Sequence, residues 1–218
     1  MAASLKIKTF TLGPFQTNCY VVAAEDGGAW LVDVGADPRP MLDHVRDHGL
    51  RVEKIVLTHA HADHIAGLSQ AADAYPDAPI LIHSAEKDFL DDTTLNLSAG
   101  FGMPVVAPPP TDLLAHDDEL TLGGVVFTVR HTPGHSPGGV ALVQPEAEVA
   151  LVGDTLFAGS IGRFDFPTSD GPTLIRSIHE QLLTLPAATR ILPGHGPAST
   201  IGAERKNNPY LRETDLSR

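Results

Sequence analysis

At 218 residues, 42% hydrophobic and 19% charged, the chain is long enough to bury a sizeable core, and one layered domain over residues 1–218 is expected. Its net charge of −12, from 27 acidic against 15 basic residues, argues against a nucleic-acid partner, because phosphate binding needs a basic face. No apolar run approaches the ~20 residues of a membrane helix, and Met1–Lys6 shows no basic region followed by a long apolar core, so neither a membrane partner nor a signal peptide is expected.

The single Cys19 rules out an internal disulfide. It sits in Thr17-Asn18-Cys19-Tyr20-Val21-Val22, which reads as a strand, so a buried structural thiol and a cytoplasmic location are expected. Residues 5–11 and 17–24 read as two strands around a Gly13-Pro14 turn, and Ala29–Val34 as a third ending at Gly35. Asp33, at that strand end, has two readings: it hydrogen-bonds a ligand loop, or it merely forms the turn. Pro38 to His48 has helical spacing through Met41, Leu42 and Val45, closed by Gly49.

Next comes Thr58-His59-Ala60-His61-Ala62-Asp63-His64-Ile65-Ala66-Gly67, after the apolar run Ile55-Val56-Leu57. Four potential metal ligands fall within six residues. His59 and His61 are two apart and share one side of an extended segment. A helix is expected from Asp63 to about Ala71, so Asp63 and His64 stand at a bend and can reach different sides of one cavity. A strand at Ile80–His83 and a helix near Ser84 to Leu90 follow. Asp91 to Pro110 resists assignment, and a long irregular excursion of this kind is often a lid or substrate wall.

In the second half, Leu120–His131, Gly138–Gln144 and Glu148–Val152 read as strands, with a turn at Gly123-Gly124. Asp170–Leu185 reads as helical, and Arg190-Ile191-Leu192 as a last strand. The order suggests an α/β protein of two stacked sheets with helices on both outer faces. Three strand ends carry candidate ligands beside glycine, which permits sharp turns and close approach: Pro133-Gly134-His135, Gly153-Asp154-Thr155 and Pro193-Gly194-His195. Five His and two Asp are too many for one tetrahedral ion but suit two ions with an open position. Asp154 can bridge, and His-rich ligation with carboxylates fits Zn, Fe or Mn. Metal-assisted hydrolysis follows as the leading expectation.

These residues, His59-x-His61-x-Asp63-His64 with His135, Asp154 and His195, resemble the metallo-β-lactamase superfamily over nearly the whole chain. Gly134–Gly138, Gly153–Phe157, Ala158–Asp165 and the tail Glu204–Leu211 are similar to the glyoxalase II branch, and most to its short single-domain members. The resemblance implies an αββα sandwich with two metals at one sheet edge. It implies that His59, His61 and His135 bind one ion, that Asp63, His64 and His195 bind the other, and that Asp154 bridges. Asp63 and Asp154 are then the catalytic carboxylates, a bridging hydroxide attacks a thioester carbonyl, and a small-molecule thioester such as S-lactoylglutathione is the partner. Two departures bear on glutathione: full-length glyoxalase II carries a C-terminal helical domain that this chain lacks, and Phe164 stands where the family has a small residue after Gly-Arg. Arg163, Arg205 and Lys206 are candidates to pair with substrate carboxylates, although solvated surface charge serves Arg205 and Lys206 equally well. His131, four before His135, reads as a support rather than a ligand.

Four rivals stand beside this reading, and the first, a nuclease of the superfamily, would want a basic face that a net charge of −12 does not suggest. A persulfide dioxygenase of the same superfamily would hold one Fe(II) by His59, His135 and Asp154. A true β-lactamase is disfavoured by the lack of an export signal. A non-catalytic metal-binding module would need an explanation for a complete ligand set.

Overall fold

The structure is a computed structural model and describes residues 5–211. Met1–Ser4, part of the N-terminal reading above, and the far end of the expected 1–218 domain lie outside the described residues. Two compact units emerge: one comprises the chain up to Leu114 with Leu120–Val126, the other Ala115–Glu119 and the chain from Phe127 on.

The first unit carries a six-stranded mixed sheet in the order β1 (Leu5–Leu12), β2 (Thr17–Ala24), β3 (Gly28–Val32), β4 (Arg51–Val56), β5 (Ile80–His83), β6 (Asp112–Leu114). The first three strands pair antiparallel and the rest parallel, joined through α1 (Arg39–Asp47), α2 (Ala62–Ile65) and α3 (Leu68–Ala74). Every residue of β2, β3 and β5 is buried, as for strands covered on both faces. Met41 and Val45 of α1 and Leu68 of α3 join Val21, Leu31 and Ile55 of the sheet in one apolar cluster.

The second sheet runs β14 (Ser199–Thr200), β13 (Arg190–Pro193), β10 (Val149–Gly153), β9 (Val140–Gln144), β8 (Val125–His131), β7 (Glu119–Leu122). It is mixed too, with β10 and β13 parallel and β9 antiparallel to both its neighbours β8 and β10. The hairpin β11 (Leu156–Phe157) and β12 (Ser160–Ile161) stands apart. Leu174 of α4 (Gly171–Ser177), Ile178 and Leu182 of the turn that continues it, and Ile201 of α5 (Ile201–Asn207) pack with Val143, Val152 and Ile191. No helix among the described residues is long and apolar enough to cross a membrane.

Most expected strands are present, and the departures have local causes. The helix expected from Asp63 to about Ala71 is two short helices. The Gly67 amide donates to Val34 O (2.9 Å) instead of continuing the helical ladder, and Val34 N in turn donates to His64 O (2.8 Å). A Cβ at Gly67 would meet Gly35 O at 2.3 Å, so only glycine lets the chain come this close. The helix expected near Ser84 to Leu90 is reduced to one tight turn, Ser84–Glu86. There the His83 ring accepts from Ala85 N (3.3 Å), and the Phe89 carbonyl is taken by the Asn96 side chain (3.1 Å). Arg190–Pro193 is not the last strand, since β14 follows and leads into α5.

Candidate metal centre

In the first unit, β4 ends at Val56 and delivers His59 and His61 to the turn that follows and Asp63 and His64 to the short α2. His59, His61 and His64 are buried, and Asp63 is partly exposed. The His59 and His61 rings lie 4.7 Å apart and nearly perpendicular, and the His59 and His64 rings 4.1 Å apart. His64 Nε2 faces Asp63 Oδ2 at 3.5 Å.

Asp33 organises this group. It is 1% exposed and takes a left-handed backbone, φ 58°, just past β3. Oδ1 accepts from the Thr58 amide (2.7 Å), while Oδ2 accepts from the Thr58 hydroxyl (2.7 Å) and from His64 Nδ1 (2.8 Å). An ionised carboxylate only accepts, so the single Thr58 hydroxyl proton goes to Asp33. Thr58 Oγ1 must then accept from His59 Nδ1 at 3.2 Å. Both His59 and His64 are thereby held as Nδ1–H tautomers with the Nε2 lone pair presented as ligand atom. Of the two readings of Asp33, the ligand-loop one holds.

Two further supports were not visible in the local sequence. The Asp63 carboxylate accepts from Thr17 Oγ1 at 2.8 Å. Glu86, fully buried, accepts from the Ala60 amide at 2.6 Å, between the candidate ligands His59 and His61. Cys19 is the buried thiol expected: it accepts from Gly35 N at 3.1 Å, and burial, aided by the Asp33 charge, pushes its pKa up to about 12.

In the second unit, His135, Asp154 and His195 stand after β8, β10 and β13. Asp154 Oδ2 faces His195 Nε2 at 3.4 Å and His135 Nε2 at 3.6 Å. His135 Nδ1 donates to the carbonyl of Arg163 at 2.8 Å, which again leaves the Nε2 lone pair available to a metal. Gly134 has φ 130°, and a Cβ there would lie 2.2 Å from Leu174 N, so the turn that aims His135 is pressed onto the start of α4. His131 is a support: its Nε2 bonds the Pro137 carbonyl at 2.9 Å.

The donor sets fit divalent ions. Two donors bound at about 2.1 Å in tetrahedral geometry lie roughly 3.4 Å apart. The nitrogen–carboxylate separations of 3.4 to 3.6 Å in the two units match that spacing. The residues are all His and Asp, with Nε2 presented by orienting partners on Nδ1, the arrangement of ligated histidines.

The basic candidates are placed differently. Arg163 forms a bidentate pair with Asp165 (2.9 Å each) and lies 4.4 Å from the Phe166 ring centre. Arg205 donates to the Leu183 and Leu185 carbonyls, closing the turn after α4. Lys206 is exposed on α5. In the tail, buried Glu204 accepts from Gly159 N (2.8 Å) and Asn208 Nδ2 (2.9 Å), which pins α5 to the β11–β12 hairpin.

Two mixed sheets with helices and a His/Asp ligand set define a metallo-hydrolase-type α/β protein. The chain belongs to the metallo-β-lactamase superfamily, whose family model matches residues 12–195, and its fold is the one expected from the sequence. It is 38% identical to the probable metallo-hydrolase YqgX of Bacillus subtilis, over 97% of this chain and all of that one. It is 34% identical to the hydroxyacylglutathione hydrolase GloC of Haemophilus influenzae, over 95% of this chain and 98% of that one. Among solved structures it resembles the B3 metallo-β-lactamase BLEG-1, with TM-score 0.91 and 39% identity over 94% of this chain and 99% of that one. It also resembles TTHA1623 in a di-iron-bound form, with TM-score 0.84 and 38% identity over 94% of this chain and all of that one.

Proposed function

We propose that His59, His61, Asp63, His64, His135, Asp154 and His195 form one binuclear centre and that the chain is a cytoplasmic thioester hydrolase of the glyoxalase II kind. The observation that carries this reading is the 34% identity to GloC over nearly the full length of both chains. The di-iron form of TTHA1623 supports a pair of ions, Zn, Fe or Mn. His59, His61 and His135 would hold one ion, Asp63, His64 and His195 the other, with Asp154 shared.

When bound, such ions lower the pKa of water and polarise a carbonyl oxygen. The protein's part is orientation. Asp33, through Thr58 and directly, keeps His59 and His64 in the ligating tautomer. The Arg163 carbonyl does the same for His135, and Thr17 holds the Asp63 carboxylate in place. A small-molecule thioester is the substrate, without nucleic-acid or membrane partners. Lys206 is the exposed cation proposed to meet a carrier carboxylate, since the guanidinium groups of Arg163 and Arg205 are engaged within the protein.

The test is metal analysis of the purified protein beside an assay on S-lactoylglutathione, the substrate that the GloC name suggests. About two ions per chain and turnover lost in Asp154→Ala together with metal content are expected. Full activity in Asp154→Ala would overturn the shared-ligand assignment. The likeness to BLEG-1 favours a second reading, β-lactam hydrolysis. Cleavage of a chromogenic cephalosporin in preference to every thioester would establish it instead.

A further inference from the structure

The first unit holds a cavity of about 130 Å³ beside the ligand Asp63. Leu12 and Phe15 of the β1–β2 hairpin line it, with Phe101, Met103 and Val105 of the excursion between β5 and β6. Phe15 and Phe101 meet edge to face, ring centres 5.2 Å apart. Phe15, Phe101 and Met103 are 42%, 48% and 54% exposed, an arrangement that costs solubility unless something apolar rests there.

The lining also says what cannot rest there. Among the described residues it contains no Lys or Arg, and its one charge is the Asp63 carboxylate. The protons of its two hydroxyls are committed: Thr17 Oγ1 donates to Asp63 Oδ2 (2.8 Å), and Ser98 Oγ donates to Thr93 O (3.4 Å) and accepts from Val105 N (2.9 Å). A carboxylate- or phosphate-bearing thiol carrier would bring uncompensated charge into such a space. Of the two halves of a thioester, the uncharged acyl half is the one that fits.

We propose that this cavity receives the acyl group, and that the preferred acyl group is apolar, of roughly four to six carbons or a phenyl ring, since a cavity of ~150 Å³ admits benzene. The proposal rests on the thioester reading and moves the preferred substrate from lactoyl to unsubstituted acyl chains.

The test is a kinetic series with the zinc-loaded protein on one small carrier: acetyl, lactoyl, butyryl, hexanoyl and benzoyl thioesters of N-acetylcysteamine. A fully buried methylene is worth up to about fourfold. With partial burial, kcat/KM for hexanoyl should exceed that for acetyl and for lactoyl by about tenfold. Phe101→Ala should reduce the hexanoyl-to-acetyl ratio severalfold. In metal-free protein the Met103 methyl resonance should shift on adding S-hexyl- but not S-methyl-N-acetylcysteamine, a readout independent of turnover. Hydrolysis without chain-length preference, an unchanged ratio in Phe101→Ala, or an unmoved Met103 signal would overturn the acyl assignment and leave the thioester reading standing. Absence of turnover on every thioester would overturn both.

Discussion

Asp33 governs the first ligand group without itself lying in the ligand run. Its two oxygens take three hydrogen bonds, from the Thr58 amide, the Thr58 hydroxyl and His64 Nδ1. Asp33→Asn replaces one oxygen by an amide that can only donate, so Thr58 or His64 loses its acceptor and the tautomers of His59 and His64 are no longer fixed. Partners of this kind are typically worth ~10–100-fold in metal affinity. Competition with a zinc indicator should show a drop of that order in Asp33→Asn, and an unchanged affinity would mean that the ligands orient themselves. Cys19 makes a separate prediction at the same scale. Its thiol is raised from 9.0 to about 12, so the unfolded chain loses this proton first. The stabilising contribution is intact below pH 9 and is lost as pH rises from 9 toward 12. Denaturant unfolding at pH 8 and pH 10 should show a fall for the native chain that is smaller in Cys19→Ala. Equal falls would place the cause elsewhere.

At the level of elements, each ligand loop depends on backbone that side chains rarely tolerate. Gly134 combines φ 130° with an approach that would put a Cβ 2.2 Å from Leu174 N. Gly134→Ala must therefore push the His135 turn off α4, at a cost on the order of 1–3 kcal/mol for the backbone alone. Urea unfolding should register that loss, and metal content should fall with it as His135 is displaced. Stability within 0.5 kcal/mol of the native chain, the range of about ±0.5 kcal/mol found for neutral surface changes, would show that the turn can relax. The same scale explains what was legible in the sequence. The ligand run after Ile55-Val56-Leu57 and the three Gly-flanked ligands announce themselves locally, as do β1, β2, β5 and β13. The orienting groups do not: Asp33 to His64 and Glu86 to Ala60 are pairings between residues 31 and 26 apart, set by which strands adjoin rather than by local pattern. The strands β11, β12 and β14 have two residues each, too few for an alternation to show. The helix expected after His83 failed because the polar groups of Asn96 and Glu86 captured its backbone and its side chain for other segments.

For the molecule as a whole, the proposed centre draws its donors from both units, so metal binding and folding are coupled. Any ion bound by the native chain and not by the unfolded one stabilises by RT ln(1 + [L]/Kd), about 2.7 kcal/mol at a hundredfold excess over Kd. A chain of this length shifts its Tm by about 2–4 °C per kcal/mol, so chelation should lower Tm by roughly 5–10 °C and added zinc should restore it. The effect also separates the shared centre from two independent half-sites. If Asp154 joins ligands from both units, Asp154→Ala should abolish most of the metal-dependent shift, although the four candidate ligands of the first unit, His59, His61, Asp63 and His64, are untouched. If the units bound metal separately, the shift contributed by those four would survive the substitution. Differential scanning calorimetry of the native and Asp154→Ala chains, each with chelator and with zinc, distinguishes the two, and persistence of the full shift in the variant would rule out a centre built from both units.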